Sequence, residues 1–350
     1  MRRRFFSQHK GEESGGIIEM PDYLTIEALE DGLTASLSVN ACEYCVDGDG
    51  NWKSLSAGAN TESINTGHIL SFRAVLIADS TNGVGTFTIS KKCNLKGNCL
   101  SILFGDDIEN KSVSKYGFYN LFNGCTTIIS VSEDFLTSTK IDTYSYANMF
   151  KDCTSLTDIP NLLFTSASGS YACTSMFENC KAITTIPNNI LSKCKSLGWG
   201  SYGYMFSGCT SLKNAPDTLP ATSLANSCYQ YMFYNCSKLT NVPQLPATTL
   251  IANCYRYMFR NCTSLTTAPE LPATKLANFC YAYMFDGCKL LNNITMLATD
   301  ISATSCLNLW VRGVASTGTF VKHPDMSSLP TGTSGIPSGW TVVNNSQPGS

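Results

Sequence analysis

Residues 224–245 read LANSCYQYMFYNCSKLTNVPQL, and the chain then repeats them almost unchanged. Residues 250–271 read LIANCYRYMFRNCTSLTTAPEL, and a third copy, LANFCYAYMFDGCKLLNNITML, begins at Leu276. A fixed period of 26 residues marks a solenoid. In such folds one unit is too small to bury an apolar face, and its neighbours supply the missing side.

Working outward, the anchor of the unit is an aromatic followed three residues later by cysteine. The pairs are Phe122/Cys125, Phe150/Cys153, Phe177/Cys180, Phe206/Cys209, Phe233/Cys236, Phe259/Cys262 and Phe285/Cys288. Trp310 takes the aromatic place in a last, degenerate copy. Successive aromatics lie 28, 27, 29, 27, 26, 26 and 25 residues apart, so the early copies are irregular and the late ones regular. Residues 195–202, KSLGWGSY, read as a small insertion in one rung. The phased phenylalanines and cysteines from Phe150 to Cys288 are the expected repeat core, because cysteine fills a small apolar slot and is among the most buried residue types.

Within one unit, Leu224, Cys228, Met232 and Cys236 are spaced by four, and Ala225, Tyr229 and Phe233 form the adjacent row. Rows at i and i+4 share one face of a helix, which predicts a short helix over 225–234. A short β segment over 237–242 follows, with Leu239 and Val242 inward. Pro243, Leu245 and Pro246 turn the chain back, since proline cannot donate within a ladder. The expected array is an α/β solenoid with one short helix and one short strand per repeat, over residues 116–310.

The flanks read differently. Residues 1–20 carry Gly11, Gly15, Gly16 and mixed charge and read as a flexible arm. Residues 21–115 read as a β-sandwich-like domain. Alternation over Leu24, Ile26, Ala28 and then Leu33, Ala35, Leu37, Val39 predicts a hairpin. A second hairpin is predicted from 44–46 to 52–55, with further strands over 69–76 and 85–89. Residues 311–350 break the period and read as a β cap and tail, as an open stack requires.

Composition narrows the function. Charged residues make up 14% of the chain against roughly 25% in typical soluble domains. The net charge of −2 gives no electrostatic footprint for nucleic acid, and no apolar run is long enough to span a membrane. The 17 cysteines are odd in number, which leaves at least one unpaired, and their phasing points to buried thiols.

No catalytic constellation emerges. Asp47-Gly-Asp-Gly-Asn has alternating oxygen ligands as in a calcium loop, but Gly58 stands where the bidentate glutamate belongs, and Asp-Gly is ordinary hairpin chemistry. Cys42, Cys45, Cys93 and Cys99 could supply four thiolates to zinc, yet Cys42 and Cys45 sit in a strand-like run with no turn between them. His9, His68 and His323 are isolated from one another, and no base accompanies the repeat cysteines. The reading is a non-enzymatic chain with no cofactor and no metal.

The pattern MFxxCTSLTxxPxLPATxLAxxCYxY resembles the BspA-like leucine-rich repeat proteins, over residues 116–310. The flanks GTFTISKKCNLKGNC (85–99), ASTGTFVK (315–322) and GIPSGWTV (335–342) look like those of repeat proteins of gut Bacteroidales and their phages. The resemblance implies either a cell-surface adhesin or protein-interaction module, or a phage tail-fibre-like or other virion appendage protein. After Met1-Arg-Arg-Arg the polar run from Ser7 to Glu13 replaces the apolar stretch of a leader, which favours the virion reading. The implied partners are other virion proteins through the N-terminal region and a host cell-surface glycan or protein, in a chain that could be a homo-oligomer.

The expected ligand-facing residues are the repeat tyrosines Tyr229/Tyr231, Tyr255/Tyr257 and Tyr281/Tyr283, together with Gln230, Arg256 and Arg260. Stacked tyrosines can hold a glycan by their ring faces or a protein by amphipathic contact; the alternative is that one tyrosine of each pair packs between rungs and the other borders solvent. The rows Gln230/Arg256/Ala282 and Tyr234/Arg260/Asp286 differ from copy to copy, which marks an exposed face.

Overall fold

A computed structural model describes residues 22–345 apart from positions 80, 81, 110, 139, 163, 192, 327 and 328. The expected arm over 1–20 and the tail over 347–350 lie outside the described residues.

The repeat segment is not helical. Over 225–236, every second backbone N–H closes a four-residue turn: Cys228 donates to Ala225, Gln230 to Ser227, Met232 to Tyr229, Tyr234 to Tyr231 and Cys236 to Phe233. The intervening N–H groups of Ser227, Tyr229, Tyr231, Phe233 and Asn235 donate to the next rung, on Ala252, Cys254, Arg256, Met258 and Arg260. Ser227, Tyr231 and Asn235 have φ of 58°, 60° and 60°. A positive φ at the third residue of alternate turns has the sign of a type II turn. The segment is a ladder of overlapping turns, stitched to its neighbour like a strand in a parallel sheet. Among the described residues the single helix is α1, Ser101–Phe104.

This geometry explains why the sequence looked helical. The turn ladder repeats every four residues, so residues at i and i+4 face the same way, as they nearly do on a helix. From Cys228 to Cys236 burial runs two in, two out, two in, two out, one in. A true helix drifts by about 40° for every four residues. The inter-rung hydrogen bonds here remove that drift. The expected β segment shrinks to isolated parallel bridges such as Asn214↔Asn241 and Thr267↔Asn293.

Inside the stack, the anchors align in two columns. Phe122, Phe150, Phe177, Phe206, Phe233, Phe259 and Phe285 are fully buried, and adjacent rings stack at 5.5–5.9 Å with interplanar angles of 1–7°. Each such pair is worth ~0.5–1.5 kcal/mol beyond its area burial. The cysteine three residues on gives its thiol to the phenylalanine carbonyl one rung back. Cys153 reaches Phe122 at 3.2 Å, Cys180 reaches Phe150 at 3.1 Å, and Cys209, Cys236 and Cys262 reach Phe177, Phe206 and Phe233 at 3.2 Å. Cys288 closes the series on Phe259 at 3.0 Å. A small apolar side chain with one donor fits this slot, and a disulfide is not needed. All 17 cysteines are free and buried.

The N-terminal β region builds onto this column. Its strands are β1 (Leu24–Ala28), β2 (Ala35–Leu37), β3 (Cys42–Val46), β4 (Lys53–Leu55), β5 (Ile69–Arg73), β6 (Phe87–Ile89) and β7 (Cys93–Lys96). With β8 (Ile128–Val131) of the first repeat they form a six-stranded sheet, β4-β3-β5-β1-β7-β8, and a two-stranded ribbon, β2-β6. The second predicted hairpin is present as β3-β4, with Tyr44 opposite Lys53. The first is not: β1 pairs with β5 and β7, and β2 pairs with β6. Both segments alternate as strands should, but alternation names no partner, and the turn at Glu30-Asp31-Gly32 leads between the sheet and the ribbon. Phe87 of β6 stacks on Phe122 at 5.5 Å and its carbonyl accepts the Cys125 thiol at 2.9 Å. This region therefore seals the first rung, and its core is continuous with that of the repeats.

At the other end, β9 (Asn293–Met296), β10 (Thr319–Lys322) and β11 (Thr341–Asn344) continue the parallel ladder. Trp310 ends the phenylalanine column, edge-on to Phe320 at 6.3 Å, and donates its indole N–H to Gly335 at 2.8 Å.

Burial pushes the thiols up, to about 12 for Cys209, Cys228 and Cys280, against about 8.5 in an unfolded chain. Below about 8.5 both states keep the proton. Between there and about 12 only the unfolded chain releases it, so stability falls as pH rises, by up to ~1.4 kcal/mol per pH unit for each such thiol. Thermal melts should hold their midpoint over roughly pH 6 to 8 and lose it steeply above about pH 9. A flat profile through that range would contradict the buried-thiol core.

Candidate functional site

The turn ladder leaves an outward pair of residues between each inward pair, and those slots form the lateral face of the array. The structure divides the expected tyrosines by this rule. Tyr229, Tyr255 and Tyr281 occupy inward slots, are 1% exposed and stack within the core at 5.7 and 6.1 Å. They pack the solenoid and cannot face a ligand. The row Ala225, Tyr229 and Phe233 read from the spacing already sets Tyr229 on the packed side.

Tyr231, Tyr257 and Tyr283 occupy outward slots and form a second ladder that begins at Tyr204. Their rings stack at 4.4, 4.3 and 4.6 Å with angles of 9–12°. Each has a left-handed φ, from 57° to 60°. The close stacking uses up the ring faces of the interior members, which leaves edges and hydroxyls for any partner. Burial and the neighbouring tyrosines push the Tyr231 hydroxyl well above the ordinary phenol range.

The varying rows flank this ladder. Gln230 and Arg256 are half-buried, while Ala282 is buried. The Arg256 guanidinium lies over Tyr257 at 5.0 Å and over Phe279 at 5.3 Å. In the other row Tyr234 and Arg260 are half-buried, but Asp286 is only 4% exposed, so the row is not exposed throughout. Asp286 accepts from Arg312 through both carboxylate oxygens at 2.8 Å and pairs with Arg260 at 2.8 Å. This triad ties three successive rungs together, and Asp286 holds the Arg312 guanidinium above its ordinary range.

A further outward ladder runs along the earlier rungs. Tyr116, Tyr144 and Tyr171 stack at 5.2 and 5.1 Å, and Trp199 covers the last of them at 5.6 Å with a 40° tilt. The sequence reading passed over Trp199 and Tyr204. The signal was present: the outward tyrosine moves from six residues before the anchor phenylalanine in the early copies to two before it in the later ones.

The metal-like motifs are occupied with turn chemistry. Asp47 accepts from the Ile69 N–H at 3.0 Å and meets the His68 Nδ1 at 2.6 Å, and Asp49 accepts from the Asn51 N–H at 2.8 Å. Among the described residues no three His, Cys, Asp or Glu side chains come together in a metal-binding group, and no helix is long and apolar enough to cross a membrane.

Removing the carboxylate from the triad strands two guanidiniums against the array. Asp286→Ala should lower the melting temperature by a few degrees, with Asp286→Asn losing less. Gln230→Ala, on an outward slot with no such pairing, should leave it unchanged. Equal melts for Asp286→Ala and wild type would show that the triad contributes nothing to rung cohesion.

Comparison with known proteins agrees with the repeat geometry. No curated protein and no solved structure matches the chain. Residues 201–306 match the BspA type leucine rich repeat region, in 6 copies. Over this segment the chain is similar to BspA-type leucine-rich repeats, and such repeats suggest a protein-interaction or adhesin module.

Proposed function

We propose that the chain is a non-enzymatic recognition protein whose lateral solenoid face binds a host cell surface. The observation that carries this reading is the contrast between slots. The inward positions of the late copies keep Cys, Tyr, Met, Phe and Cys, whereas the outward positions change from Gln230 to Arg256 and from Tyr234 to Arg260. A constant core with changing outward groups is how repeat arrays build extended binding surfaces.

In its finer form the proposal is a phage tail-fibre-like or other virion appendage protein. The support is the resemblance of residues 85–99, 315–322 and 335–342 to the flanks of repeat proteins of gut Bacteroidales and their phages. The N-terminal β region, which closes one end of the array, would then carry the contacts to other virion proteins. The alternative place for the same module is the bacterial cell surface. Mass spectrometry of purified virions and of bacterial envelopes separates the two, and recovery from envelopes alone would exclude the virion form.

Binding of the purified chain to intact gut Bacteroidales cells, with and without their capsule, tests the recognition reading itself. Binding that follows the capsule is the expected result. The absence of binding to every strain tried would overturn it.

A further inference from the structure

Two outward aromatic ladders run along the array, and both break at one rung. The first, from Tyr116, ends at Trp199, and the second begins at Tyr204. Interior members such as Tyr144 and Tyr257 have a ring on each side, so their faces are covered. Trp199 and Tyr204 each have a ring on one side only. The residue matching Trp199 in the next rung is Asn226, because the Gly200 N–H bonds to the Asn226 carbonyl and so pairs Gly200 with Ser227. The residue matching Tyr204 in the previous rung is Ser175, by the same rule. An amide and a hydroxymethyl replace the rings that would otherwise close the stack.

The exposures agree. Trp199 is 53% exposed and Tyr204 is 37% exposed, and both rank among the few large apolar side chains that reach solvent. The backbone between them turns its bulk inward. Ser201 and Tyr202 are buried, and the other two positions are Gly200 and Gly203. A Cβ at Gly200 would lie 2.6 Å from the Tyr171 ring, so the floor of this rung is kept clear of side chains by packing. Gln230, which follows Gly203 in the next rung, adds a second amide at the border.

We propose that this rung is a carbohydrate-binding site. The open face of Trp199 takes the C–H face of a pyranose, since an aromatic face is electron-rich and attracts polarised C–H groups. Tyr204, in the same rung, turns its open face the other way, toward Ser175, and offers its edge and hydroxyl beside the glycine floor. The Asn226 amide nitrogen, whose partner oxygen already accepts from Ser227 and Asn253, and the Gln230 amide bond the sugar hydroxyls. Apolar platforms with a few orienting polar groups are the usual make-up of small-ligand sites. The proposal names the ligand class for the recognition reading and rests on it.

The probe is polysaccharide extracted from the surface of cells that the wild-type chain binds. Affinity is measured for wild type, Trp199→Ala and Trp199→Phe, with iodide quenching of tryptophan fluorescence as a second readout. Trp310 and Trp340 are buried, so quenching reports mainly on Trp199 and Trp52. Trp199→Ala should weaken binding by about tenfold or more, as loss of a central aromatic contact does. Trp199→Phe should fall between and, because phenylalanine keeps a ring against Tyr171, should leave the melting temperature unchanged. Polysaccharide should shield the wild-type fluorescence from iodide. Equal affinity of Trp199→Ala and wild type, or no shielding, overturns the site. Wild type that binds cells but not their polysaccharide overturns the carbohydrate assignment and leaves the recognition reading standing. Wild type that binds no cells removes both.

Discussion

Backbone hydrogen bonds between rungs set the terms for everything else in the array. Over 225–236 one N–H in two is spent within the rung and the other reaches the next rung. No buried backbone N–H of this segment is left without a partner, which is the condition a buried backbone must meet. The alternation forces the chain into turns, and the turns force a left-handed residue at every fourth position. For an L-residue that conformation costs ~1–2 kcal/mol. Glycine and asparagine carry it most cheaply. Where tyrosine carries it, at Tyr204, Tyr231, Tyr257 and Tyr283, ring stacking at 4.3–4.6 Å offsets the strain. The lateral tyrosine ladder is therefore first a structural device.

Once the rungs are in register, identical inward residues must fall above one another. The phenylalanine rings become a stack and the cysteine thiols meet the carbonyls one rung back. Such a column has two open ends, and each is closed differently. Phe87 in a β region continues the stack on one side, and Trp310 with Phe320 turns it edge-on at the other. Outward residues are free of these demands, which is why Gln230 becomes Arg256 without consequence for the core. The same freedom lets the two tyrosine ladders stop at Trp199 and start at Tyr204, leaving ring faces open in mid-array.

Much of this was legible in the sequence, and the misses have physical causes. The period, the phenylalanine and cysteine columns and the β character of both ends follow from spacing alone. The helix expected over 225–234 failed because a turn ladder and a helix both return to the same side after four residues. The residue before each anchor cysteine would have separated them. It is Gly124, Asp152, Asn179, Gly208, Asn235, Asn261 or Gly287, always a type that tolerates positive φ. Of the two readings of the tyrosine pairs, the two-in, two-out rule favours the one in which Tyr229 packs inside and Tyr231 borders solvent. Strand partners in the β region were out of reach, because alternation along β1 and β2 records which face is buried and not which strand lies beside it.

The central claim is that the repeats are turn ladders, joined rung to rung, with no helix among their described residues. Far-UV circular dichroism of the purified chain addresses it directly. The account predicts a spectrum without the double minimum of α-helix. A double minimum of the size that a helix in every repeat demands would contradict it.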